Sequence, residues 1–486
     1  MKRRDFIKDS SLAAAGMTLG SRTSFASSDR PNVLFILVDQ MRTPRWTPLL
    51  ETPNIDRIAR EGVSFDNHFV SASPCSPSRA CLLTGTYTTQ NEMYLNCDFT
   101  NGDAQPSLDP SIPTIGHVFA AAGYSTPYRG KWHLTHRKDR NRLDPLLDYG
   151  FTGFKPPDAL FGGPPYNGAL QDPFYASQTV RWLRNPDNHT RPWFLVCSLV
   201  NPHDICSFPR YYPQWKLKSI KTESTPPNWN DDLENKPGCQ REYSNLYNKL
   251  AGNMPDSDPD IWRRYLDYYV HCCEDVDDNI GRVLDALEKS GRRDRTIVVF
   301  TSDHGDMGGS HRLRAKGCFA YDEEMRTPLI ISAPQLLPSG IRTGSFASNI
   351  DIMPTLMNLA GINTSPVYLP GVDLRPVLHD PENTSVREEI IFHQDSELKT
   401  GLGEKQDKNF KHPAHIRCLR DREWKYSFYF SPKNDLVEHE LYNLKEDPLE
   451  MHNLALDPGY IKRRVEMYER LMERESALAR DYTQSR

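Results

Sequence analysis

The sequence predicts an α/β fold: a large mixed, mostly parallel sheet sandwiched by helices, with a smaller C-terminal α+β domain. Three observations carry this. Continuous apolar runs of strand length recur at Asn32–Val38 (NVLFILV), Trp193–Val200 (WFLVCSLV) and Thr296–Phe300 (TIVVF). Such runs suit strands buried on both faces of a parallel sheet. Val276, Ile280, Val283, Leu284 and Leu287 recur at helical spacing, and Gly291 stands where a C-terminal cap belongs. Strands alternating with helices place helices on both faces of the sheet. After about residue 375 the texture changes. Glu388–His393 and Trp424–Phe430 read as strands, and 459–480 as a charged amphipathic helix. The predicted division is therefore 30–375 and 376–486.

Residues 1–26 are expected to lie outside the fold. Lys2, Arg3 and Arg4 precede a short apolar stretch, Ser11–Gly20, and Ser24-Phe25-Ala26 offers a small-residue cleavage site. The stretch is about half of the roughly 20 residues needed to span a bilayer. Arg3-Arg4 followed by Asp-Phe-Ile-Lys has the form of a twin-arginine signal, with a general secretory signal as the alternative. Either implies an exported protein, periplasmic or extracellular. The net charge of −5 argues against a nucleic-acid binder, which carries a basic excess. Any anion must then be drawn by a local site. The ten cysteines are scattered without a CxxC pair, so they form neither a metal finger nor a dense disulfide scaffold.

Ligands of parallel sheets bind beyond the carboxyl ends of the strands. The first run ends in Asp39-Gln40. Gly123–Arg129 leads into Gly130-Lys131-Trp132-His133. The second run ends in Asn201-Pro202-His203-Asp204, and the third in Asp303-His304-Gly305-Asp306. Asp39, Gln40, Asp303 and His304 offer mainly oxygen ligands, which suit Ca²⁺ or Mg²⁺. Singly, each residue would pass for a strand-end cap. Cys75-Ser-Pro77-Ser-Arg79 puts Pro77 in the first turn of a helix and Cys75 at its N-terminus, where the helix dipole favours an anion. Arg79, four residues on, is expected to grip oxygens of that anion.

C-x-P-x-R, with Thr84-Gly85 after four further residues, resembles the signature of type I sulfatases. Gly123-Tyr-Ser-Thr-Pro-Tyr-Arg-Gly-Lys131-Trp-His133 is similar to that family's second signature. Asp39, Asp303-His304-Gly305, Lys316-Gly317 and the closing Glu440-Leu-Tyr-Asn-Leu-x-x-Asp-Pro-x-Glu fall in the family's order. The resemblance spans residues 31 to about 455. It implies an alkaline-phosphatase-like fold, and a formylglycine (3-oxoalanine) made from Cys75 by a maturation enzyme. It also implies a divalent cation held by Asp39, Gln40, Asp303, His304 and the group at 75. One hydroxyl of the hydrated aldehyde would attack sulfur, and the other would expel sulfate. Arg79, Lys131 and Lys316 would neutralise charge, His133 would assist the nucleophile or the collapse of the hemiacetal ester, and His203 would protonate the leaving oxygen or orient its neighbours.

Asp39-Gln40 stands where many sulfatases have Asp-Asp, and Asp303-His304 where others have Asp-Asn. That combination resembles the branch of choline sulfatases and phosphonate monoester hydrolases, and also bacterial carbohydrate sulfatases. The expected substrate is a sulfated carbohydrate, with a phosphonate monoester, phosphodiester or choline sulfate as the alternative. A catalytically dead glycan-binding relative is disfavoured by the complete residue set. Specificity is expected from three places: His311 and Arg312, the Pro- and aromatic-rich stretch 205–262, and the basic segment 394–416. The stretch 205–262 reads as a lid or a surface insertion. The basic segment, with His393, Lys399, Lys405, Lys408, Lys411, His412 and His415, reads as an anionic subsite or a solvated loop.

Overall fold

A computed structural model of the chain describes residues 30–485, except 45–46, 48, 98–104, 137–143, 157, 159–166, 211–219, 364–366, 396–410 and 433. The expected signal segment, 1–26, lies outside the described residues. The described residues build two sheets. The larger contains β1 (Asn32–Asp39), β2 (Val63–Phe69), β4 (Tyr128–Gly130), β5 (Phe194–Pro202), β6 (Thr296–Ser302), β7 (Leu329–Ser332) and β8 (Ile341–Ser348). Its order is β4-β5-β1-β6-β7-β2-β8. Strands β4, β5, β1 and β6 run parallel, as do β2 and β8. β7 pairs antiparallel with both neighbours.

The strand alternation explains the two-sided core. Val33, Phe35 and Leu37 share one apolar cluster with Ile352, Met353 and Leu356 of the helix Ile352–Leu359. Leu34, Ile36 and Val38 share another with Val276, Ile280 and Val283 of the helix Pro259–Lys289. The predicted sandwich of helix, sheet and helix is therefore present. The long helix ends where the sequence places its stop, with Gly291 at φ 68° just past it. Among the described residues, no helix is long and apolar enough to cross a membrane.

The smaller sheet contains β9 (Ile390–Asp395), β10 (His415–Arg420), β11 (Trp424–Ser431) and β12 (Asn434–Asn443), all antiparallel. Its last member is β3 (Ala72–Ser73), which pairs in parallel with β9 through Ala72↔His393 and Ser73↔Gln394. This sheet is thus built from both sides of the expected boundary at residue 375. β3 ends two residues before Cys75, so the C-terminal sheet anchors the segment that leads into the active-site helix. Met467 and Leu471 of the helix Ile461–Ser485 pack on Leu419, Trp424 and Tyr426 of this sheet.

Described residues of the stretch 205–262 pack between the two sheets. Tyr243 and Tyr247 of its helix Gly238–Ala251 join a core with Phe319, Tyr321, Tyr429 and Tyr442. Lys236 donates to the Tyr442 hydroxyl at 2.8 Å, and Gln240 to Glu440 at 3.1 Å. The described part beyond residue 220 is therefore built into the core and is not a free lid. Tyr211, Tyr212 and Trp215 lie outside the described residues. So do Lys399, Lys405 and Lys408 of the basic segment. The Lys411 and His412 amides of that segment donate to Glu242.

Gly130 closes β4 at φ 103°, and a Cβ there would lie 1.7 Å from the Ser198 carbonyl oxygen. Gly123, at φ 88°, faces open space. Both positions carry the backbone strain of a side chain in a left-handed conformation, roughly 1–2 kcal/mol. Only Gly130 adds a backbone collision. Gly130→Ala is expected to abolish soluble folded protein or all activity, whereas Gly123→Ala should lower the thermal midpoint only slightly. Parallel thermal unfolding of the two variants checks the contrast.

Candidate active site

β1 and β6 are adjacent and in register, with Val38 opposite Ser302. The next residue of each, Asp39 and Asp303, therefore emerge side by side at the carboxyl edge. The Asp303 amide still donates to the Val38 carbonyl at 3.2 Å. Its carboxylate then accepts from the Gln40 and His304 amides, at 3.1 and 2.9 Å. β4 delivers Lys131, whose amide donates to the Ser198 carbonyl at 3.0 Å. The Trp132 and His133 amides that follow both donate to the Asp158 carboxylate, at 2.9 and 3.0 Å. The end of β5 is fixed by Asp172, which accepts from the Val200 and Asn201 amides at 2.6 and 2.8 Å. His203 follows at once, in a short 3₁₀ turn.

Cys75 begins the helix Cys75–Thr84, as the motif predicts. Its thiol sits 3.2 Å from His304 Nε2 and 3.7 Å from Asp39 Oδ1, fully out of solvent. One ligand atom each from Asp39, Cys75, Asp303 and His304 fall within 4.8 Å of one another. The electrostatics of the four are interlocked. Burial pushes Asp39 up, but Lys131, His203, Arg79 and His304 outweigh it and hold the carboxyl well below its ordinary range. Burial and the neighbouring Asp39 charge instead push Asp303 up. Burial lowers His304, yet Asp303 and the position of Cys75 reverse this and lift it to about 9. Burial and Asp39 oppose ionisation of Cys75, and Lys316, Lys131 and His304 overcome them, so the thiol falls well below its ordinary value. Position 75 is therefore an anion-favouring point beside two crowded carboxylates. That combination fits a cation between the carboxylates and an anion above residue 75.

The cations take distinct posts. Arg79, expected to grip a bound anion, meets both carboxylates. Its Nε donates to Asp303 at 2.8 Å and its Nη2 to Asp39 at 3.2 Å. Its Nη1 donates to the Lys131 carbonyl at 2.9 Å and to Ser198 Oγ at 3.0 Å. Fully buried, it clamps the carboxylates because both emerge against the first turn of its own helix. Lys131 Nζ lies 2.6 Å from Asp39. Lys316 donates to the Gln40 amide oxygen and approaches Cys206 Sγ at 3.5 Å. Gln40, expected among the metal ligands, thus has its oxygen engaged by Lys316 while its amide nitrogen donates to Asp306 at 2.6 Å. His133 is buried. Burial, aided by Lys316 and Lys131, drives His203 down to about 3, so the imidazole is neutral near pH 7.

His311 and Arg312, expected to bind substrate, are built into the protein instead. His311 is fully buried and stacks on Tyr321 at 4.0 Å. Its two ring nitrogens meet Asp231 at 2.6 Å and Asn228 at 3.0 Å. Arg312 lies over the Trp229 ring and 3.5 Å from Asp256. Sequence adjacency to the metal pair misled here: residues 228–231 come back across the loop and take both side chains. Asp306 and Ser198 were not singled out from sequence. Asp306 stands inside the Asp303-His304-Gly305-Asp306 run, and its spacing was the available signal.

Residues 31–362 match the family model for sulfatases, and residues 309–477 that for the C-terminal region of N-sulphoglucosamine sulphohydrolase. The chain is 31% identical to the uncharacterized sulfatase YidJ of Escherichia coli (strain K12), covering 91% of this chain and 87% of that protein. It is 26% identical to the N-acetylglucosamine-6-O-sulfatase of Bacteroides thetaiotaomicron, over 95% of this chain and 89% of that one. A solved 2-O GAG sulfatase superposes with a TM-score of 0.75 at 26% identity, covering 94% of both chains. With the carboxyl-edge site already in view, these likenesses place the chain in the sulfatase family, as a sulfuric ester hydrolase on the alkaline-phosphatase-like fold.

Proposed function

We propose that this sulfatase removes sulfate from a sulfated saccharide, using formylglycine at position 75 and a divalent cation, Ca²⁺ ahead of Mg²⁺. The observation that carries the reading is the junction at Cys75. A helix N-terminus, two buried carboxylates, His304 and three cationic side chains converge on one atom position. Asp39, Asp303, His304 and the group at 75 would hold the cation, and Gln40 could join them by releasing Lys316. When bound, the cation supplies charge that polarises a sulfate oxygen and the nucleophile.

The chain's own residues do the rest. Arg79 keeps both carboxylates in place. Lys131 and Lys316 present charge to the sulfuryl oxygens as the S–O bond to the alcohol breaks. His133 takes the proton of the attacking hydroxyl. His203, kept neutral by burial and the neighbouring ammonium groups, gains a reason to hold a proton when a sulfate anion enters beside it. It then delivers that proton to the leaving oxygen. Cys75 is fully buried, so a maturation enzyme must oxidise it before the chain folds. We place the mature protein outside the cytoplasm, because residues 1–26 carry an export signal pattern. The saccharide reading is supported by the relatives, one named for N-acetylglucosamine 6-O-sulfate and one as a 2-O GAG sulfatase.

Three outcomes test this. Mass spectrometry of the residue-75 peptide from active protein should show aldehyde in place of thiol. Maturation enzyme added after folding should give no conversion. Fully active protein with only thiol would refute the nucleophile. Asp303→Ala should abolish turnover and lower bound divalent metal in elemental analysis. Unchanged metal content would remove Asp303 from the ligand set. Against a panel of sulfated saccharides, choline sulfate, an aryl sulfate and a phosphonate monoester, wild type should prefer a saccharide. His203→Ala should cost about 10²–10⁴-fold on that alkyl sulfate and far less on the aryl sulfate, whose leaving group needs no proton. Equal losses on both would deny His203 the acid role.

A further inference from the structure

We infer that a small cavity between the helix Asn167–Arg184 and the edge strand β4 binds an acidic sugar, at a site separate from residue 75. β4 lies at one end of the larger sheet and pairs with β5 through Tyr128↔Val196 and Arg129↔Cys197. Val196 belongs to the apolar cluster on one face of the sheet. Cys197 belongs to the cluster on the other, together with Trp182 of that helix. Arg129 therefore turns to the face that the helix covers. On the helix, Gln178, Arg181 and Trp182 stand at i, i+3 and i+4 and share one side. With Arg129, Lys155 and Asn188 they line a cavity of about 190 Å³. That is several times the roughly 30 Å³ that one water molecule occupies.

The Gln178 side chain marks the cavity as a site. It is 8% exposed, and neither its oxygen nor its nitrogen has a hydrogen-bond partner. A buried amide without partners destabilises the fold, so a ligand that supplies both is favoured there. The oxygen needs a donor and the NH₂ an acceptor. The charged part of the lining is cationic: Arg129, Lys155 and Arg181 contribute three positive charges, and among the described residues no acid lines the cavity. Arg129 is already held in place, because its Nη1 donates to the Tyr128 carbonyl at 2.8 Å and to the Gly153 carbonyl. Inorganic sulfate supplies charge but no donor for the Gln178 oxygen. A neutral sugar supplies hydroxyls but no charge. A sugar carrying a carboxylate or a sulfate supplies both, and the Trp182 ring gives its C–H bonds an apolar wall. This inference rests on the saccharide reading of the substrate and adds a second hold on the same chemical class.

Equilibrium binding of glucuronate, glucose and inorganic sulfate to the mature enzyme tests this. Glucuronate should bind several-fold more tightly than glucose. Gln178→Leu, which keeps a similar volume and removes both polar atoms, should weaken glucuronate by about 5–10-fold. Its thermal midpoint should equal or exceed that of wild type, because the amide has no bond to lose, whereas a merely structural role would lower it. Arg181→Ala, at an exposed position, should weaken glucuronate several-fold and reduce the salt dependence of its binding. Lys316→Ala, in the catalytic site, should leave glucuronate binding unchanged. Glucuronate affinity that falls in Lys316→Ala but not in Gln178→Leu or Arg181→Ala would put the sugar at residue 75 and overturn the inference. So would equal affinity for glucuronate and glucose, or a crystal soaked in glucuronate with only water at Gln178. Inorganic sulfate weakened by Gln178→Leu as much as glucuronate would reduce the cavity to a plain anion site, which also overturns it. Should Gln178→Leu not fold, Arg181→Ala decides the same question. The two readings fail separately. Gln178-dependent binding of glucuronate, in an enzyme that hydrolyses no sulfated saccharide, rejects the substrate class and keeps the cavity. Hydrolysis of a sulfated saccharide, with glucuronate binding indifferent to Gln178 and Arg181, rejects the cavity alone.

Discussion

The site depends on one constraint: two carboxylates, Asp39 and Asp303, must emerge side by side from adjacent parallel strands without water. Unpaired, each would neutralise itself or unfold the edge, since desolvating a charge costs several kcal/mol. Arg79 resolves this by bridging both, with Nε on one and Nη2 on the other. A guanidinium does this where an ammonium cannot, because its donors are fixed in a planar fork. The same residue ties down the Lys131 carbonyl and Ser198, so the loop after β4 and the middle of β5 are registered to the carboxylates. The nucleophile helix is thus keyed to all four strands by a side chain on its second turn.

The C-terminal sheet contributes through the backbone. β3 is only two residues long, yet it pairs with β9 immediately before Cys75. So short a strand has little stability alone and persists because a longer sheet claims it. The helix N-terminus is therefore held from below by one sheet and from the side by the carboxylates of the other. Beyond residue 220 the insertion packs against both, with Lys236 and Gln240 reaching Tyr442 and Glu440.

Much of this was legible in the sequence, for physical reasons. β1, β5 and β6 are buried on both faces, so their apolar runs are continuous, and polar residues at their ends have few other places to be. Pro77 and Cys75 announce a helix start by local chemistry alone. What escaped is non-local. The Val63–Phe69 strand alternates too weakly to stand out (VSFDNHF), and β3 has no pattern of its own. His311 looked available because nothing nearby in sequence pairs with it, and its partners lie some 80 positions earlier. Arg79 was placed on the right helical face, but its contact with the two carboxylates was not read. Only the register of β1 against β6 reveals that two carboxylates meet it first.

The charge arrangement also bears on why position 40 is an amide. Around residue 75, three cationic side chains, Arg79, Lys131 and Lys316, face two carboxylates, Asp39 and Asp303. These charges gather out of contact with water, within a chain of net charge −5. An acid at position 40 would bind Lys316 more tightly than an amide does. The ammonium would then be a weaker partner for an incoming sulfate. A neutral oxygen orients Lys316 without consuming its charge. The nitrogen of that amide meanwhile donates to the buried Asp306 carboxylate, so both ends of the side chain are engaged.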